Sequence, residues 1–224
     1  LHPDEAYVTR PAHGLLVTGK LRPKRVKGEP AYVYPPLLAE ILALECMAFY
    51  PLSDWTSLRA VPAASVRMAG RVTTLTAGVL SVALLALLAR RLTGSLGAGA
   101  LAGAVLALSP LHAESSRYAT TDVLAGLWVL LAAWAAVRIV DEGKWRHYVL
   151  GAVAVGVAVA TKYPAGVSCV LIAAAHVCRP GIFRSRREQV KPGVAVLVAV
   201  ATVLVVLPPG LVSWQALLRG ASHA

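Results

Sequence analysis

The chain has 224 residues, of which 57% are hydrophobic and only 15% charged, and its formal net charge is +11. A soluble domain ordinarily carries about 25% charged residues, so this balance excludes an ordinary soluble fold. The positive charge does not point to nucleic acid, because the lysines and arginines gather in short loops between apolar runs, where membrane proteins concentrate them.

In chain order, residues 1–60 are mixed in character and read as a first extracytoplasmic loop. They open on His2-Pro3-Asp4-Glu5, pass through a basic stretch from Lys20 to Lys27, and reach Tyr32-Val33-Tyr34-Pro35-Pro36. Leu37 to Tyr50 is apolar but holds Glu40 and Glu45; at 14 residues it is short for a span and predicts an interfacial helix over 37–50. Tyr32, Tyr34 and Trp55 predict an aromatic belt at the membrane surface.

Residues 61–218 predict an all-α, polytopic membrane bundle of about six spans, over about 72–89, 95–113, 122–140, 147–162, 164–178 and 192–209. Val72 to Ala89 is uncharged and closed by Arg90-Arg91, and Gly94, Gly97, Gly99 and Gly103 offer small surfaces for close packing in the second run. Residues 210–224 read as the start of a later outer loop. Because the chain opens on a polar loop, a membrane helix is expected before Leu1 and further helices after Ala224. Cys46, Cys169 and Cys178 sit in apolar surroundings and read as packing residues.

The fourth and fifth runs could form one helix through Lys162, but charge argues for two. With two, the loops 90–91, 138–146 and 179–191 share one side and hold ten basic residues, while the turns 114–122 and 162–164 hold Arg117 and Lys162. That asymmetry makes the basic loops cytoplasmic and residues 1–60 extracytoplasmic.

Four groups then share the outer side: Asp4-Glu5, Glu114, Arg117 with Asp122, and Lys162-Tyr163. Ionisable residues at membrane depth are costly and ordinarily face a cavity, a partner or a substrate. A partly desolvated Asp4 can act as general base on a hydroxyl. Arg117 and Lys162 can bind a phosphate at headgroup level, or else pair with Glu114 or Asp122. His2, His13, His112 and Glu114 could assemble a divalent metal site with Asp4, although no tight spacing supports it.

The order of motifs resembles the dolichyl-phosphate-mannose protein mannosyltransferase family. The resemblance runs through His2-Pro3-Asp4-Glu5, Gly19-Lys20-Leu21-Arg22-Pro23, Tyr34-Pro35-Pro36-Leu37-Leu38, Ala69-Gly70-Arg71 and Arg90-Arg91-Leu92-Thr93-Gly94. It continues in Leu108-Ser109-Pro110, in Ser116-Arg117-Tyr118-Ala119-Thr120-Thr121-Asp122, in Ala160-Thr161-Lys162-Tyr163, and in Pro208-Pro209 followed by Trp214. It implies the C-type glycosyltransferase fold in an N-terminal portion of an enzyme of the bacterial plasma (inner) membrane, with its site on the extracytoplasmic side. Such an enzyme moves a hexose or pentose from a polyprenyl-phosphate-linked donor, within membrane lipid, to a protein, lipid or glycan acceptor. By the same resemblance Asp4 is the base and Glu5 its acidic neighbour. Arg117, Lys162 and Tyr163 face the donor phosphate, and Glu114, Asp122 and Arg71 shape the site. No cofactor is assigned, and a divalent metal at His2, Asp4, His112 and Glu114 is the one candidate. The alternative is a membrane transporter or channel fragment with charges lining a pathway, which the lack of an internal repeat disfavours.

Overall fold

The computed structural model describes residues 4–19, 34–180 and 186–207, and these are all-helical apart from turns and short connections. The helices are α1 (Glu5–Thr18), α2 (Leu37–Phe49), α3 (Ala63–Thr93), α4 (Leu96–Leu108) and α5 (Pro110–Ser116). They continue as α6 (Thr121–Glu142), α7 (Trp145–Thr161), α8 (Cys169–Cys178), α9 (Arg186–Gln189) and α10 (Lys191–Val206). The basic stretch from Lys20, Tyr32, and the Pro208-Pro209 and Trp214 motifs lie outside the described residues.

α1 was not expected. Arg10, Pro11, His13 and Gly14 break up its hydropathy, yet Val8, Ala12 and Leu16 recur at four-residue spacing and are buried against α2 and α3. Helix α2 falls on the expected interfacial segment, with Leu38, Leu42, Ala43 and Cys46 buried and Leu44, Met47 and Phe49 exposed. Cys169 and Cys178, expected as packing residues, are exposed.

Helix α3 is longer than the uncharged run inside it, because Arg67 and Arg71 are accommodated in its first turns rather than ending it. Gly94 closes it in the left-handed region, φ 70°, and its N–H bonds to the Arg90 carbonyl. Ser95 caps α4 by accepting from the Ala98 N–H. Gly99 and Gly103 then let α4 lie directly on α3: a Cβ at Gly99 would stand 2.7 Å from the Ala86 carbonyl. The second expected span is bent by 63° between α4 and α5, at Ser109-Pro110.

Helix α7 stops at Thr161, Lys162 is extended, and the chain turns back through a 3₁₀ segment, Tyr163–Ser168. The Tyr148 hydroxyl near the start of α7 meets His176 Nδ1 near the end of α8 at 2.7 Å, so the two helices run antiparallel. Helix α10 runs parallel to α7, Gly156 meeting Ala199 and Thr202 while Lys191 lies over Trp145 and Tyr148.

Among the described residues, α3 and α6 are each long and apolar enough to cross a membrane, and the bent α4–α5 pair makes a third if counted as one span. The remaining apolar helices, Trp145–Thr161, Tyr163–Cys178 and Lys191–Val206, are shorter. The six expected spans were counted as uncharged runs, whereas a crossing helix needs about 20 residues in one piece.

The bundle therefore has two polar ends. One holds the ends of α3, α6 and α8 and the starts of α7 and α10. Arg91 bonds Asp141 there, and Arg179 and Lys191 both donate to the Gly143 carbonyl and pair with Glu188. The other end holds α1, the starts of α3 and α6, α5, and the end of α7, and it gathers most of the residues expected to carry chemistry.

Candidate functional site

Asp4 stands at the N-terminal edge of α1, and Glu5 opens the helix. The two neighbours have different surroundings. Glu5 is only 2% exposed, and its carboxylate takes both prongs of Arg71, Nε at 2.8 Å and Nη2 at 3.0 Å. The Ala119 N–H donates a third bond to Glu5 Oε1 at 3.1 Å. This bidentate, charge-assisted arrangement is what a buried carboxylate requires. The Arg71 guanidinium also lies 5.6 Å from the centre of the Tyr118 ring. Arg71, expected to shape the site, ties α1, α3 and the turn before α6 together.

The turn can approach this closely because of Gly70. A Cβ there would stand 2.5 Å from the Ala119 Cβ. About two helical turns on, a Cβ at Gly78 would meet Ser116 Oγ at 2.5 Å. Both glycines were missed as site residues; the only sequence signal was Gly70 in Ala69-Gly70-Arg71.

Asp4 lines a groove of about 670 Å³ between α3, α4, α5 and α6. Its mouth carries Asp4, His112, Glu114, Tyr118 and Asp122, and its floor carries Leu85, Leu106, Val123, Gly126 and Leu130. The Tyr34 hydroxyl donates to Asp4 Oδ2 at 3.5 Å, the long limit of a hydrogen bond. Burial, with the negative charges of Asp4 and Asp122 beside it, pushes the Tyr34 hydroxyl up to about 12, so it remains a donor at neutral pH. Tyr34 was read as belt material; it instead bridges two halves of the site. The Lys162 ammonium lies 5.8 Å from its ring centre and pairs with Asp122 Oδ1.

The expected residues thus fall into three groups. Asp4, Glu114 and Asp122 share the groove, and Lys162 reaches it through Asp122 and Tyr34. Glu5 and Arg71 sit immediately behind as a buried pair, and Tyr163 packs half-buried against the core next to Lys162. Arg117 is exposed at the end of α5, where its backbone N–H bonds to the Glu114 carbonyl, and its guanidinium makes no hydrogen bond or ion pair among the described residues.

The metal expectation is not supported among the described residues, where no group of three His, Cys, Asp or Glu could hold an ion. His112 Nε2 donates to the Gly78 carbonyl at 3.3 Å and His13 Nε2 to the Val61 carbonyl at 3.0 Å, so one nitrogen of each ring serves the backbone. His2 lies outside the described residues.

A family model described as dolichyl-phosphate-mannose-protein mannosyltransferase matches residues 30–217. Asp4, Glu5 and α1 precede the matched stretch, while Arg71, Arg117, Asp122 and Lys162 lie within it. Comparison with curated proteins and with solved structures gives no match.

Proposed function

The chain belongs to the dolichyl-phosphate-mannose-protein mannosyltransferase family, and from that premise we propose a sugar transfer in which Asp4 is the base. The family is one of integral membrane glycosyltransferases that draw on a polyprenyl-phosphate-linked sugar. The donor here is such a lipid, and the acceptor is an extracytoplasmic hydroxyl or amine-bearing group on a protein, lipid or glycan. The membrane is the bacterial plasma membrane, with the groove opening to its outer side.

The observation that carries this reading is the groove, polar at its mouth and apolar along its floor, with Asp4 on its wall. That profile suits an amphiphile whose charged head stays at the mouth while its chain follows the helices. The acceptor oxygen attacks the anomeric carbon, forming the new C–O bond as the bond from that carbon to the phosphate oxygen breaks. The proton goes to the Asp4 carboxylate and the electron pair leaves with the phosphate, in one displacement that inverts the anomeric centre. A phosphate is a good leaving group, so no second carboxylic acid is needed, unlike in ordinary glycosidases.

Negative charge grows on the departing phosphate, and fixed cations there lower the barrier. Lys162 supplies one, turning from Asp122 to the phosphate, and Arg117 supplies the other from the exposed end of α5. Tyr34 orients the Asp4 carboxylate, and Glu5 with Arg71 anchors the adjoining backbone. Glu114 and Asp122 bound the mouth and Tyr163 supports Lys162.

The test uses the full-length protein in membranes with a radiolabelled polyprenyl-phosphate sugar. Asp4→Asn is expected to lower transfer at least 100-fold while membrane insertion and thermal midpoint stay as in the unmodified protein. Transfer at the unmodified rate would remove Asp4 as base.

A further inference from the structure

Sharing none of the groove's lining residues, a second cavity of about 380 Å³ lies between α1 and the first turns of α3. Its wall carries Glu5, Arg10, His13 and Arg67. The charges here do not cancel. Both oxygens of Glu5 are taken by Arg71, and Ala119 adds a third donor, so the carboxylate contributes no net attraction for Arg10 or Arg67. Neither of those guanidiniums makes a hydrogen bond or ion pair among the described residues. The cavity therefore holds two uncompensated cations, each a rigid planar fork, on two helices fixed relative to one another. The fixing is visible: His13 Nε2 donates to the Val61 carbonyl just before α3 at 3.0 Å, and Arg71 of α3 holds Glu5 of α1 at 2.8 and 3.0 Å.

The geometry points to an anion site here, separate from the transfer groove, whose ligand is a phosphate group held between Arg10 and Arg67. Two forks facing one ligand suit a group with three or more acceptor oxygens, and guanidinium is the side chain that binds phosphate in that manner. The level in the fold fits as well. Arg67 lies five residues before the uncharged run that starts at Val72, about 7 Å along the helix axis, which is headgroup depth. Cations at that depth attract anionic lipid at close range. The phosphate can come from a phospholipid headgroup or from a soluble phosphate-bearing molecule, and the two sources are separable.

The full chain is reconstituted in nanodiscs of phosphatidylcholine alone or with phosphatidylglycerol, and bound lipid is read by native mass spectrometry. Inorganic phosphate binding is read in parallel by equilibrium dialysis in the phosphatidylcholine discs. Retained phosphatidylglycerol without phosphate binding assigns the site to a headgroup; phosphate binding assigns it to a soluble phosphate. In either case R10Q/R67Q should lower occupancy at least tenfold, R10K/R67K less, and raising salt from 50 to 500 mM should weaken binding in the unmodified protein. The proposal is overturned if neither ligand binds, or if the glutamine pair binds as well as the unmodified protein. Should the glutamine pair fail to fold, binding in the unmodified protein that salt leaves unchanged overturns it equally. Asp4 is untouched in these variants, so the outcome does not depend on the transfer reading.

Discussion

A carboxylate as enclosed as Glu5 is tolerable only because Arg71 and the Ala119 N–H satisfy it from two sides. The two partners should therefore be unequal under mutation. Arg71→Ala strands a buried negative charge and should cost about 3 kcal/mol, whereas Glu5→Gln keeps an acceptor and should cost about 1 kcal/mol. Denaturant unfolding in detergent checks both, and equal losses would contradict the pairing as the source. Glu40 poses the opposite case. It is buried in α2, its Oε1 has no hydrogen-bond partner, and burial pushes its carboxyl from 4.5 to about 7. The folded protein then holds this proton over a range where the unfolded chain has released it. Stability from this group is complete below about pH 4.5 and is lost as pH rises through 7, by about 3 kcal/mol at most. The thermal midpoint of the detergent-solubilised protein should fall across that window, and Glu40→Gln should flatten the fall.

Helix packing and groove shape separate cleanly on two glycines. Gly156 in α7 has no room: a Cβ would stand 2.7 Å from the Ala199 carbonyl of α10, which is backbone and cannot turn aside. Gly156→Ala should therefore destabilise by about 1–3 kcal/mol, read as a lower thermal midpoint. Gly126 in α6 has nothing within 4 Å of its Cβ position and lines the groove. Gly126→Leu should fold normally, because it adds an apolar side chain to open space. It should raise the KM for the lipid-linked donor several-fold by narrowing the floor, with the thermal midpoint held. A normal KM would mean that the donor chain does not pass this face. The same elements show what can be read ahead of structure. The break at Lys162 was legible because loop charges distinguish two helices from one. The α4–α5 bend was half legible, as a proline inside an apolar run. Helix α1 was not, since its apolar stripe is only three residues wide and is broken up by Arg10, Pro11 and His13.

Across the whole molecule, sequence reading put most of the candidate residues at one end and offered Asp122 as an alternative partner for Lys162, but it did not find the Glu5–Arg71 pairing. Glu5 and Arg71 are 66 positions apart, and Lys162 and Asp122 are 40. No local spacing reports such contacts, because they are set by how α1, α3, α6 and α7 pack. What the sequence does carry is the charge difference between the ends. At the end opposite the groove, Arg138, Lys144 and Arg146 surround Glu142, and Arg179 and Lys191 hold Glu188. Lys191 is buried there, with its ammonium within 6 Å of the Trp145 and Tyr148 ring centres. Excess basic loops face the cytoplasm in short-loop membrane proteins, so the proposed sidedness has this end inside and the groove outside. Exposed positions at the two ends test the sidedness directly. In variants with a single cysteine, Ala60→Cys lies just before α3, and native Cys178 ends α8. A membrane-impermeant maleimide applied to intact cells should label the first and reach the second only after permeabilisation. The reverse pattern would put the groove in the cytoplasm, where an extracytoplasmic acceptor could not meet Asp4.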